Sequence, residues 1–441
     1  MKQTVWILLM GCWLLAAGCS KSDDSGATLK VSSEKLTWTS DVLLQTVQVT
    51  CDGKWTAKSD VYWCAPIQSS GEGNGELAIW VSPNLTSEAR EGIVSISSGG
   101  TTRRISVSQP AFTGSLDDYV YHLPVVFHVL YKDKSDETQY VKEGHMADIL
   151  TEVNKVYAAN KMNIVFELAQ YNDKGEKLEE PGVVRHEVNF DDYVPEEFLS
   201  SQNEDNRQYA KYEQNLKKYI NIYVFRFKQE DEKGTTMGIS NLPIVPLSHP
   251  LDSLPATDGA NDYAYTTSPW GCCINNENIY QWQKENELNP RYIVNTMAHE
   301  LGHYLGLLHT FSEDECRMDD ACSDTHICDY VNYVTYMSAY IREQKDKGVE
   351  IFNLADIAKR IDCKTLEEYV AHNTMDYMYC YNDEFTPQQR QRTRHVLWYA
   401  PLVPGPKLMN YNTTGKITRG SNEKTDITEK IQRCPGILRI F

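Results

Sequence analysis

Positive charge is what this sequence of 441 residues is short of: 43 Lys and Arg against 61 Asp and Glu leave a formal charge of -18. That balance excludes nucleic acid as the main partner, because phosphate binding needs a concentrated basic footprint. A membrane-spanning apolar run is missing as well. The strongly apolar stretch from Val5 to Met10 lies among the first twenty residues and is too short to cross a bilayer. Internal repeats are absent, and 41% hydrophobic with 24% charged residues leaves no bias toward disorder. What remains is a globular chain long enough for two or three domains.

The first residues carry an address. Lys2 precedes the apolar stretch, which ends in Leu15-Ala16-Ala17-Gly18-Cys19. A positive start, a short apolar centre and small residues at a cleavage point predict a signal peptide over 1–18. Leu15 to Cys19 also resembles the bacterial lipobox, which implies cleavage before Cys19, diacylation of Cys19 and a membrane anchor there. The small polar residues up to 27 then read as a tether. Ser20, rather than Asp, follows the cysteine, and Ser22-Asp23-Asp24 resembles the acidic export tag of surface lipoproteins. Together these imply an outer-membrane lipoprotein facing the outside. The plain alternative is an ordinary signal peptide that contains a cysteine.

Of the 12 cysteines, Cys12 and Cys19 fall to leader and anchor. Cys51, Cys64, Cys272, Cys273, Cys316, Cys322, Cys328, Cys363, Cys380 and Cys434 remain. An even number in an exported chain predicts disulfides rather than reactive thiols, and Cys51 with Cys64 is a candidate pair. A thiolate zinc cluster of Cys316, Cys322 and Cys328 is the competing reading. Their six-residue steps do not match the short spacing of zinc knuckles.

From 28 to 111 the chain alternates apolar and polar residues in short runs. Thr46 to Thr50, Leu77 to Val81, Gly92 to Ile96 and Arg104 to Val107 predict strands, with turns at Asp52-Gly53 and Ser98-Gly99-Gly100. No helical period competes, so this is an all-β sandwich. Gly53-Lys54-Trp55, Trp63, the Ser70 to Gly75 run, Asn84, Arg90-Glu91-Gly92 and Val107-Ser108-Gln109-Pro110 resemble the BACON domain. The resemblance covers the whole segment and implies an immunoglobulin-like module. It also raises glycan contact through Trp55, Trp63 and Trp80. Trp residues in a small sandwich equally serve as core, and a rigid spacer needs no ligand.

From 115 to 441 the pattern is mixed α/β. Leu123 to Tyr131 is a continuous apolar run suited to a strand buried on both faces. Met146 to Asn160 has helical spacing, and Ile164 to Leu168 and Ile220 to Phe225 return to strand. Roughly 228–290 reads as long loops with an edge strand near Cys272 to Ile279.

The decisive run is His299-Glu300-Leu301-Gly302-His303-Tyr304-Leu305-Gly306-Leu307-Leu308-His309. His299 and His303, four apart on a helix, leave the same face and converge on one metal. Glu300 stands beside the open coordination position as a general base. Gly306 permits a left-handed exit from the helix that returns His309 as third ligand. Three neutral nitrogens with one open position describe a catalytic zinc site. This extended motif is that of the metzincins, and Asn373-Thr374-Met375-Asp376-Tyr377 is similar to their methionine turn. Met375 would floor the site, and Tyr377 is a candidate donor to a developing oxyanion.

Pro124 to Leu130, His309-Thr310-Phe311, Cys322-Ser323-Asp324-Thr325, Cys380 and Phe385-Thr386-Pro387-Gln388-Gln389 resemble the pappalysin family over about 121–400. Two departures stand out: His326 where the family has Pro, and a long insertion over about 330–370. The resemblance implies a metzincin-type zincin domain that cleaves extended protein or peptide substrates, held antiparallel to an edge strand expected within 270–280. The order lipobox, BACON module, protease also resembles bacterial zinc metalloproteinase lipoproteins. Asp319, Asp320, Asp324 and Asp329 form a candidate calcium loop or a solvated one. His128, His326 and His372 are candidate supports of the zinc site or structural histidines. The rival class is a surface glycan-binding adhesin with an inactive protease-like module; loss of Glu300 or of one histidine would mark it, and none is lost.

Overall fold

The computed structural model describes residues 28–39, 44–61, 63–200, 204–228, 236–257, 268–280, 292–349, 353–377, 379–408 and 431–435. Cys19 and the expected signal peptide over 1–18 lie outside them. Among the described residues no helix is long and apolar enough to cross a membrane.

Two sheets build the N-terminal body. One orders Leu29–Val31, Leu44–Cys51, Gly75–Val81 and Cys64–Pro66; the other orders Lys35–Thr37, Thr101–Gln109, Arg90–Ser98, Lys54–Ser59 and Ser70–Glu72. Alternation dictates which face is inside: Val94, Ile96, Ile105 and Val107 are buried while their neighbours face out. The Arg90–Ser98 and Thr101–Gln109 strands pair across a two-residue turn, with Gly99 at φ 51° and Gly100 at φ 82°. Both positive angles match the hairpin turn whose twist suits the strands. Asp52-Gly53 turns too, but it carries the chain from one sheet to the other. Trp38, Trp55 and Trp63 are in the core, with Trp80 half-buried.

The second body is a mixed sheet backed by helices. Its order is Ile164–Leu168, Tyr121–Tyr131, Ile220–Phe225, Cys272–Asn275, Thr236–Asn241 and Ile431–Pro435, with Val183–Glu187 beside the far half of Tyr121–Tyr131. The first three pairings in that order are parallel and the last two antiparallel. Tyr121–Tyr131 is central, so its apolar residues are buried on both faces. The helix His145–Ala159 presents Met146, Ile149, Leu150, Val153, Val156 and Tyr157 inward, the stripe its spacing predicts. It packs on a second helix, Tyr292–Tyr304, where the Tyr157 hydroxyl donates to Ala298 O at 3.0 Å.

The edge-strand expectation is corrected here. Cys272–Asn275 is interior, flanked by Ile220–Phe225 and Thr236–Asn241. The antiparallel strand toward the edge comes from 236–241, within the stretch read as loop.

Cysteine pairing is also narrower than expected. Cys316 and Cys363 form a disulfide across 47 residues, whereas Cys51, Cys64, Cys272, Cys273, Cys322, Cys328 and Cys380 are buried free thiols. Cys51 donates to Ser98 Oγ instead of joining Cys64. A buried thiol behaves as a small apolar side chain, and that suffices for these positions.

Candidate metal centre

His299, Glu300 and His303 sit in the C-terminal half of the helix Tyr292–Tyr304. That helix ends by a pattern that only a left-handed residue allows. Leu307 N donates to Gly302 O at 2.9 Å and Gly306 N to His303 O at 2.8 Å, with Gly306 at φ 91°. This is the Schellman arrangement, and Gly adopts it without the clash a Cβ brings. The chain reverses, and His309 arrives beside the other two histidines.

Their nearest ring nitrogens lie within 4.8 Å of one another, and all three side chains are buried. Among the described residues this is the one group of three or more His, Cys, Asp or Glu so placed. His299 Nδ1 donates to Thr374 O at 2.7 Å and His303 Nδ1 to Leu307 O at 2.8 Å. Carbonyls only accept, so each bond fixes the proton on Nδ1 and leaves Nε2 a bare lone pair in the neutral ring. His303 Nε2 and His309 Nε2 then face each other at 3.0 Å, and His299 Nε2 has no hydrogen-bond partner among the described residues. Burial pushes the His299 imidazole down to about 4, with the Thr374 carbonyl opposing. Burial, then the neighbouring rings, hold His303 and His309 well below their ordinary value. A pocket that gathers lone pairs and resists protons suits a cation.

The methionine turn closes the site from below. Met375 is fully buried, and its sulfur lies so near the motif helix that a Cβ on Gly302 would meet it at 2.5 Å. Asn373 Oδ1 accepts from Met375 N at 2.9 Å, and Thr310 N reaches Met375 O at 3.2 Å. The Tyr377 ring stands 4.5 Å from that of His309 and packs on Phe311 and Tyr330.

Several supports escaped the sequence reading. Gln389 exchanges two hydrogen bonds with the Asn373 amide, at 2.9 and 3.0 Å, while completing the capping box of the helix Pro387–Tyr399 with Thr386. Arg392 Nε donates to Gly306 O at 2.6 Å and so holds the turn that delivers His309. Asp376 faces Arg360, 3.5 Å away, in a dry setting that pushes its carboxyl up while the guanidinium opposes. On the other side Ser240 Oγ donates to Glu300 O at 2.9 Å, and a Cβ on Gly238 would come within 2.4 Å of Glu300 Oε1. A glycine inside a β-rich run such as Thr236-Met237-Gly238-Ile239 is the signal that could have found this approach.

Other candidates lie elsewhere. His128 joins Asn221 Oδ1 and His186, His326 joins Asp362, and His372 joins Asp383. Asp324 accepts from Thr386 and Gln388 N, Asp329 caps the helix Tyr330–Asp346, and Asp320 binds Thr325. These carboxylates are spent on turns and caps, which gives calcium no support.

A model of the BACON family, an N-terminal binding domain by description, matches residues 53–110. A model of the Peptidase_M43 family (pregnancy-associated plasma protein-A) matches residues 274–398. No curated protein matches the chain. Among solved structures it is similar to a Bacteroides ovatus GH5 xyloglucanase in complex with a XXXG heptasaccharide. That match has 16% identity over 47% of this chain and 57% of the other, with a TM-score of 0.19. It is similar to the periplasmic chaperone SfaE at 9% identity over 20% and 59%, with a TM-score of 0.17. A protein from Bacteroides thetaiotaomicron matches at 18% identity over 22% and 100%, with a TM-score of 0.16. The chain thus spans less than two thirds of the first two structures.

Proposed function

From a chain that joins a BACON segment to a metalloprotease segment of the Peptidase_M43 family, we propose a zinc-dependent endopeptidase acting on extracellular proteins. The observation that carries it is the group of three buried imidazoles whose ring nitrogens lie within 4.8 Å of one another, two of them fixed by carbonyls in the tautomer that leaves Nε2 bare. A cation collects such lone pairs directly, and burial holds the three rings in the neutral form that can offer them. Neutral imidazoles in a group of three suit zinc and leave a position open.

When bound, zinc would supply a water of lowered pKa and an electrophile for the scissile carbonyl. Glu300, beside His299 on the same helix, takes the proton of the attacking water and returns it to the leaving amine. Tyr377 donates its hydroxyl to the carbonyl oxygen as charge develops. Thr374 O and Leu307 O hold two rings in the tautomer that presents Nε2. Met375 provides a rigid apolar floor. Cys19, by its lipobox, anchors the chain to the outer membrane with the sandwich as spacer.

The test uses casein or gelatin and a zinc assay. The full chain is expected to hold about one zinc, to lose activity with a chelator and to regain it with zinc. Glu300→Ala should keep the metal and lose about 10³-fold or more in turnover. Retention of a tenth of the activity by that variant would remove Glu300 from its role. Failure to bind zinc would end the proposal.

A further inference from the structure

The strand Thr236–Asn241 lies between two partners of different origin. Its inner neighbour is Cys272–Asn275, and its outer neighbour is Ile431–Pro435, drawn from the far end of the sequence. The outer pairing is antiparallel: Asn241 stands opposite Ile431, Ser240 opposite Gln432, Ile239 opposite Arg433, Gly238 opposite Cys434 and Thr236 opposite Pro435. The register shifts between Thr236 and Gly238, and a proline, which cannot donate to a ladder, stands at its end.

This strand is also the wall of the candidate reacting centre. Gly238 lies against the Glu300 carboxylate and Ser240 holds the Glu300 carbonyl. The outer edge of Thr236–Asn241 is therefore where an extended peptide, added as a strand through main-chain bonds, would pass beside Glu300. Main-chain pairing is tolerant of sequence, so any extended segment competes for it. In this chain the edge is taken by the chain itself.

We propose that Ile431–Pro435 is an autoinhibitory strand, seated on Thr236–Asn241 in the place of a substrate main chain, so that peptides enter once it is displaced or cut away. The proposal rests on the peptidase reading above. Its physical advantage is tethering: a linked segment acts at an effective concentration of about millimolar, above that of most free peptides. The same pairing hides an edge that would otherwise template aggregation. Edge cover with no effect on substrate entry is the outcome that would defeat the proposal.

The experiment compares the zinc-loaded full chain with a chain ending at residue 430 and with the full-length variants Gln432→Pro and Arg433→Pro. Neighbouring residues of an antiparallel strand alternate in aiming their N–H at the partner. One proline therefore removes a ladder bond and the other is its matched control. For a fluorogenic peptide, the shortened chain is expected to show a KM lowered about tenfold or more with kcat within about twofold, and one of the two proline variants to show part of that change. Equal KM in all four chains, each of them cleaving, overturns the proposal.

A second arm needs no turnover. A labelled peptide covering residues 428–438 is titrated by fluorescence anisotropy into Glu300→Ala chains, full-length and ending at 430. Binding to the shortened chain alone supports occupancy of the edge, even should no chain cleave; in that event the peptidase reading falls by itself. Binding to neither chain, or equally to both, overturns the proposal. Were the shortened chain not to fold, the proline variants in the Glu300→Ala background decide by the same titration, with binding to one of them supporting and binding to neither overturning.

Discussion

At the scale of residues, the partners of the buried imidazoles separate two uses. His299 and His303 bond carbonyls through Nδ1 and turn bare nitrogens toward His309. His128, equally buried, spends both nitrogens on Asn221 and His186 and is structural. Burial pushes His128 down to about 4, the Asn221 amide opposing. In the unfolded chain it titrates near 6.5. Above that both states are neutral and the contribution is complete. As pH falls from 6.5 toward 4, the unfolded chain takes a proton that the folded one refuses, and stability is lost, by about 2 kcal/mol at pH 5. Urea midpoints across this window are expected to fall less steeply in His128→Gln than in the parent; parallel curves would refute the argument. Tyr377 belongs to the other use. Packed 4.5 Å from the His309 ring, its hydroxyl should matter in the transition state alone. Tyr377→Phe is expected to lower kcat about 10- to 100-fold with KM little changed, and full peptidase activity in that variant would withdraw the role.

Between elements, the turn at Gly306 is the joint on which the placement of His309 depends. A Cβ there would force a left-handed residue, at roughly 1–2 kcal/mol, and would meet Val396 Cγ2 at 2.7 Å. Gly306→Ala is therefore expected to weaken zinc at least about tenfold in a competition assay against a chromophoric chelator, more than it slows residual turnover at saturating metal. Unchanged affinity would show that the turn has slack. This joint was legible because the motif helix and its cap are local: residues 299–309 specify the three histidines, termination and return within one stretch of chain. The helix His145–Ala159 and the strands at Tyr121, Ile164 and Ile220 were legible for the same reason, each from its own period. Strand order is not local. Nothing in Thr236 to Asn241 says that it lies between Cys272–Asn275 and the far end of the chain, so the strand expected at the edge is two positions in from it. Arg392 on Gly306 and Gln389 on Asn373 likewise join residues distant in sequence, and their types have many other uses. The cysteine count predicted bridges but could not show that seven thiols are buried as packing.

At the scale of the molecule two apolar cores stand apart: one fills the sandwich, the other lies between the mixed sheet and its helices. Between the bodies Gln68 donates to Gly175 O at 3.0 Å and Tyr171 to Glu76 at 3.3 Å, while Leu85 reaches into the second core. The three histidines belong wholly to the second body, and a metal held by them would tie the motif helix, the Gly306 turn and His309 together on one side of that core. A ligand that binds the folded state alone stabilises it by about 2.7 kcal/mol at a hundredfold excess over its Kd. For a body of this size each kcal/mol moves the midpoint by about 1.5 °C. Calorimetry with and without a chelator should therefore show two transitions, of which one falls by roughly 4 °C when zinc is withdrawn. The sandwich transition should stay in place, because its core holds none of the ligands. A chelator that shifted both equally would mean that the bodies unfold as one unit. One that shifted neither would mean that His299, His303 and His309 hold no metal that matters to the fold.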